Sequence, residues 1–148
     1  MISIDFLSLL KEFTAFLEKE QSICLATSAE DKVTARTMSH VNDGVNVYFQ
    51  TGGESEKVGQ IACNPRVAFV AGNMQVEAVA EIMGHPTENP QFISLYKAKF
   101  PRYYELYTSG EDEVLIKAVS TRMTFYKYID GRPCREILDI KLKKAFRE

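Results

Sequence analysis

The spacing of the apolar residues changes once, near Ser22, and that change decides what this chain can fold into. Before it, Phe6, Leu9, Leu10, Phe13, Phe16 and Leu17 recur every three or four residues, with Asp5, Lys11, Glu12, Glu18 and Lys19 between them. That is the stripe of an amphipathic helix packed on a core. Its polar face has no basic excess, which argues against a membrane-surface helix. After Ser22 the chain becomes a series of short β-prone runs separated by turn residues, the pattern of an antiparallel meander.

The runs can be placed. Residues 23–27 and 33–40 are strands around the polar turn Glu30-Asp31-Lys32. Asn42-Asp43-Gly44 supplies residues that tolerate positive φ, and it predicts a hairpin pairing residues 33–40 with 45–50. Thr51-Gly52-Gly53-Glu54 breaks the pattern. Residues 55–63 then read as a short helix with Ser55 as N-cap, Val58, Ile61 and Ala62 as its apolar face, and Asn64-Pro65 as its stop. Strands follow at 67–71 and 76–83, joined by Gly72-Asn73. The second alternates Val76, Ala78, Ala80 and Ile82 with Glu77, Val79 and Glu81, so one face is buried. Residues 89–107 are helical with an interruption at Pro101. Strands at 114–119 and 123–128 precede the turn Asp130-Gly131-Arg132-Pro133 and a basic tail, residues 141–147, compatible with a helix.

Composition narrows the class. A chain of 148 residues, 45% hydrophobic and 26% charged, is long enough to bury one core unaided and forms a single domain spanning 1–148. A net charge of −2 excludes a broad electrostatic hold on nucleic acid. No apolar run reaches the roughly 20 residues of a membrane span, and Asp5 stands where a signal peptide is basic. Cys24, Cys63 and Cys134 form no Cys-x-x-Cys pair and read as free thiols of a cytoplasmic protein. His40 and His85 lie far apart with no partner at ligand spacing, so no metal is expected. The expected fold is mainly β (α+β): a small antiparallel β-barrel with flanking helices.

One stretch carries chemistry. Thr51-Gly52-Gly53-Glu54-Ser55-Glu56-Lys57 joins a strand to a helix start, where unpaired N–H groups favour a phosphate. Thr51 and Ser55 offer hydroxyls and Lys57 an ammonium group. Two readings stand at this point, an anion cradle or an N-capped surface helix with a solvated lysine. Arg36, alone among Thr34, Ala35, Thr37, Met38 and Ser39, either awaits an anion or faces solvent. Gly-x-Gly-x-x-Gly, the P-loop pattern and the Gly-x-Ser-x-Gly elbow are all missing from the sequence.

These segments together resemble a known family. Arg36-Thr37-Met38, Val47-Tyr48-Phe49-Gln50-Thr51, Ser55-Glu56-Lys57 and above all Gln60-Ile61-Ala62-Cys63-Asn64-Pro65-Arg66-Val67 are similar to the FMN-binding split barrels related to pyridoxamine 5′-phosphate oxidase. The relatives include general-stress-protein-like and nitroimidazole-reductase-like branches. The resemblance covers residues 23–83 well and the remainder only in its order of elements. It implies a split barrel, FMN as cofactor, and a homodimer with two flavin sites at the subunit interface. Carried over by position, Arg36 and Lys57 grip the FMN phosphate with Ser55 in support. Thr37, Met38 and Ser39 lie along the flavin, and Gln50 and Thr51 contact flavin or phosphate.

Some positions depart from that pattern. Glu56 stands where the oxidase has a second basic residue, and Gln50 where the nitroimidazole reductases carry histidine. The chain has no tryptophan and no Arg-x-His near its end, so vitamin B6 chemistry is not expected. The implied function is an FMN-dependent oxidoreductase acting on a small molecule, with no catalytic side chain named. The alternatives are a flavin-binding or sensory module without turnover, or a related barrel holding haem or deazaflavin. His40 lies either near the flavin or within the barrel, and the aromatic residues of 92–107 either wall the substrate space or pack the core.

Overall fold

The N-terminal stripe forms a helix because Asp5 caps it. The Asp5 carboxylate accepts from the Ser8 N–H at 2.8 Å, satisfying one of the donors a helix start leaves unpaired. The structure, a computed structural model, describes residues 1–108 and 110–148. In chain order its elements are β1 (Ile2–Ile4), α1 (Phe6–Lys19), β2 (Ser22–Ala29), β3 (Lys32–Ser39), β4 (Val41–Asp43), β5 (Asn46–Gly52), α2 (Glu56–Cys63), β6 (Arg66–Ala71), β7 (Met74–Ile82), α3 (Pro90–Lys99), α4 (Pro101–Tyr107), β8 (Glu113–Ile129), β9 (Arg132–Asp139) and β10 (Lys144–Arg147). No described helix is long and apolar enough to cross a membrane.

The strands pair antiparallel in the order β1-β10-β9-β8-β7-β6-β2-β3, with β5 joining β4 to β8. Strand β8 organises the sheet. Its residues Ile116–Phe125 run beside β7, and β5 and β9 share its other side, β5 along Glu113–Ala118 and β9 along Arg122–Ile129. The sheet therefore forks rather than closing, and the result is a split barrel. The main core lies between the sheet and α1, which buries Leu9, Phe13 and Leu17. The Phe13 and Phe125 rings stack with centroids 4.0 Å apart. Such burial supplies about 1.5–3 kcal/mol per large side chain. A second cluster, Val41, Tyr48, Phe92, Tyr96, Phe100 and Leu115, seats α3 against β4, β5 and β8.

Several sequence expectations change here. The turn at Asn42-Asp43-Gly44 forms, with Gly44 at φ +60, but it pairs Val41–Asp43 with Asn46–Tyr48. Strand β3 instead pairs with β2, Arg36 lying opposite Leu25. The two late strands are one strand, with a register irregularity between Glu77 and Ala78 where Thr121 falls out of pairing. The basic tail is not a helix, because Lys144–Arg147 pair with β9 and Ala145–Arg147 also with β1. On α2 the buried residues are Val58, Gln60 and Ile61, while Ala62 is exposed. Ile82, expected on the buried face of β7, is 43% exposed.

Candidate cofactor site

Helix α2 is held on the sheet by a polar side chain. Gln60 is buried and its Oε1 accepts from Thr27 Oγ1 of β2 and, at 2.7 Å, from Thr34 Oγ1 of β3. Its Nε2 donates to the Lys32 carbonyl at 3.3 Å. These bonds fix α2 on β2 and β3. Arg36 joins the same group of hydroxyls: its Nη1 donates to Thr27 Oγ1 at 2.7 Å and to the Leu25 carbonyl at 3.3 Å, and its Nη2 donates to Thr34 Oγ1. The guanidinium is half-buried and braced, with further N–H donors beyond these bonds.

Lys57 comes to the same place from the helix. Its Nζ donates to Thr51 Oγ1, the end of β5, at 2.7 Å. Burial, and then the neighbouring Arg36 guanidinium, pull the Lys57 ammonium below the usual lysine range. Two cations thus crowd one spot, brought there by α2 packing on β2 and β3 and not by a hairpin between β3 and β5. Glu56 does not compete for them. It points outward and is paired with Lys32 at 2.8 Å, whose hydrogen bond holds the Glu56 carboxyl below the usual range.

Ser55 occupies the N-cap position of α2, yet its side chain makes no capping bond. Among the described residues its Oγ is a buried hydroxyl with no hydrogen-bond partner. A buried hydroxyl without a partner loses about 1–3 kcal/mol of solvation, which an arriving acceptor restores. The Gly53 N–H donates to the Asp112 carbonyl at 2.7 Å, and a Cβ at Gly53 would stand 3.0 Å from that oxygen and from Asp112 Oδ1. Gly53 therefore admits the Asp112 loop. The Ser55 N–H is likewise spent on the Gly52 carbonyl at 3.1 Å.

Beside this spot is a pocket of about 310 Å³ lined by Thr37, Met38 and Ser39 of β3, Gln50 and Thr51 of β5, Tyr96 of α3, Tyr103 of α4 and Glu113 of β8. Five of the eight expected residues line it; Arg36, Ser55 and Lys57 lie outside its lining. Gln50 Nε2 donates to Thr108 Oγ1 at 3.2 Å, and its Oε1 is buried without a partner among the described residues. Glu113 was not anticipated, because Glu111-Asp112-Glu113 ahead of a strand reads as a solvated turn. Burial, and then Asp112, raise its carboxyl above the usual range. His40 belongs to the barrel: it is fully buried, with Nε2 3.0 Å from the Leu17 carbonyl. His85 bridges locally, Nε2 lying 2.7 Å from the Gly110 carbonyl and Nδ1 2.7 Å from Thr87 Oγ1. No group of metal-ligating side chains occurs among the described residues.

An open antiparallel barrel with the short helix α2 packed on its strands is the split-barrel architecture related to pyridoxamine 5′-phosphate oxidase. The chain belongs to the pyridoxamine 5′-phosphate oxidase family, whose model matches residues 9–127. General stress protein 26 from Bacillus anthracis is 24% identical, with 88% of this chain and 98% of that chain covered and a TM-score of 0.64. A general-stress-protein-26-related protein from Clostridium acetobutylicum is 15% identical over 95% of this chain and 99% of that one, TM-score 0.71. The same fold occurs in a FAD-binding protein from Mesorhizobium loti, 13% identical over 76% and 90%, TM-score 0.62. It also occurs in HutZ, the haem storage protein from Vibrio cholerae, 14% identical over 79% and 91%, TM-score 0.62. No curated protein matches the chain.

Proposed function

We propose that this chain is a single FMN-binding split-barrel domain and a flavin-dependent oxidoreductase for a small molecule. The observation carrying this reading is the meeting of Arg36, Lys57 and the unpartnered Ser55 hydroxyl at the start of α2. Crowded cations and an unsatisfied hydroxyl are what a phosphate monoester relieves, by charge and by hydrogen bonding. The pocket beside them offers the backbone of Thr37, Met38 and Ser39 and the free Gln50 carbonyl oxygen to a flavin ring. The flavin, when bound, supplies the electron or hydride transfer, and the protein orients it.

In this reading Lys57 and Arg36 neutralise the phosphate, Ser55 donates to it, and Thr51 keeps the Lys57 ammonium aimed. Tyr96 and Tyr103 wall the remaining space against water. A homodimer is part of the proposal: Val33, Val70 and Val79 expose apolar surface on β3, β6 and β7, 71%, 44% and 39% exposed, on which a second copy closes the site. The free cysteines suit a cytoplasmic setting.

Haem is the weaker reading. Of the two histidines, His40 is fully buried with its Nε2 at the Leu17 carbonyl, and both ring nitrogens of His85 are engaged. Neither is placed to ligate an iron. The absorption spectrum of the purified protein, before and after addition of FMN or haemin, tests the choice. Bands near 370 and 450 nm (about the values of any protein-bound flavin) support FMN, and a Soret band with haemin alone overturns it.

A further inference from the structure

The pocket holds a carboxylate that a phosphate-binding reading leaves unexplained. Glu113 opens β8 directly opposite Gly52 of β5, one position from the Thr51–Val114 pair, so the strand register fixes it at the mouth of the site. It is half-buried and lines the pocket with Thr51, whose hydroxyl accepts from Lys57. Among the described residues it has no ion-pair or side-chain hydrogen-bond partner, unlike Glu56, which is tied outward to Lys32. The groups that face it are Lys57 from α2, His85 from the turn after β7 and Asp112 from its own loop. Tyr96 and Tyr103 share the pocket from α3 and α4, and Arg36 acts from β3 through Lys57.

We propose that Glu113 sets the charge this pocket accepts: its carboxylate opposes a second negative charge beside Lys57, so a phosphate-bearing ligand binds together with a proton on Glu113. The inference rests on the flavin phosphate reading and adds to it a specificity residue. Burial and Asp112 already favour the protonated acid. A phosphate drawn to Lys57 removes the nearest positive charge from Glu113's reach and completes the shift. The proton comes from solvent and returns there on release. A ligand with the same ring but no phosphate places no charge beside Lys57 and binds without this proton.

The test is calorimetric titration of the full chain with FMN and, separately, riboflavin, at neutral pH in two buffers of different ionisation enthalpy. Wild type and Glu113→Gln are compared, with Glu113→Ala as a second variant whose result must agree. The expected result is proton uptake with FMN that is larger in wild type than in either variant, and a ratio of FMN to riboflavin affinity raised about fivefold by Glu113→Gln. Equal proton counts and an unchanged affinity ratio overturn the role of Glu113 while leaving the flavin reading standing. No binding of FMN by any of the proteins overturns the flavin reading itself, and this inference with it.

Discussion

The Lys57 ammonium donates to the Thr51 hydroxyl across 2.7 Å, tying the first turn of α2 to the last residues of β5. That bond crosses the Gly52-Gly53 break, so a local helix start and a long-range strand end are locked at one point. If a phosphate sits there, the lysine is its main charge. Lys57→Ala removes a charge-assisted contact of roughly 1.5–3 kcal/mol, and the FMN dissociation constant rises about tenfold or more. Titration calorimetry checks this, and unchanged affinity contradicts the assignment.

Arg36 differs from Lys57 in being braced by Thr27, Thr34 and the Leu25 carbonyl. Arg36→Lys keeps a charge but loses the fork that reaches those acceptors and a phosphate at once. Flavin content of the purified variant is expected to fall, with the unfolding midpoint falling less. A variant that retains full flavin occupancy shows that Arg36 only braces the strands.

Gly53 is needed for the close approach of the Asp112 loop, where a Cβ would meet backbone oxygen at 3.0 Å. Gly53→Ala is expected to push that loop away and to cost about 1 kcal/mol of stability. Because Glu113 follows Asp112, FMN affinity should change as well. Denaturant unfolding and FMN titration measured together check both effects.

His40 gives a pH prediction. Burial, then the nearby Lys99 ammonium, lower its pKa from 6.5 to about 4, so the folded protein holds the neutral ring. The unfolded chain binds the proton first as pH falls. The stability tied to the neutral ring is therefore present above about pH 6.5 and lost progressively toward pH 4. From pH 7 to pH 5 the wild type should lose about 2 kcal/mol more than His40→Gln. Parallel losses in urea unfolding would place the titration elsewhere.

The sequence makes some of this legible and hides the rest for identifiable reasons. The α1 stripe is readable because one face repeats Leu9, Phe13 and Leu17 at helical spacing and all three are buried. The alternation of β7 is readable because Val76, Ala78 and Ala80 face the core. Strand β9 is hidden by Pro133 and by Glu136, a buried carboxylate satisfied by Lys127 and Arg147. No local pattern announces an acid whose partners lie on other strands. The tail, rich in lysine, owes its strand to pairing with β1 and β9, and pairing partners are not written locally. Within the site, Arg36, Ser55 and Lys57 stand out by residue type. Glu113 does not, because only the register of β5 on β8 brings it opposite Gly52.

The most direct test compares FMN with riboflavin, ligands that differ only in the phosphate. If the start of α2 is an anion cradle, two or more charge-assisted contacts make FMN bind at least about a hundredfold more tightly in calorimetric titrations of the wild-type protein. Equal affinities, or no flavin binding at all, would contradict the account.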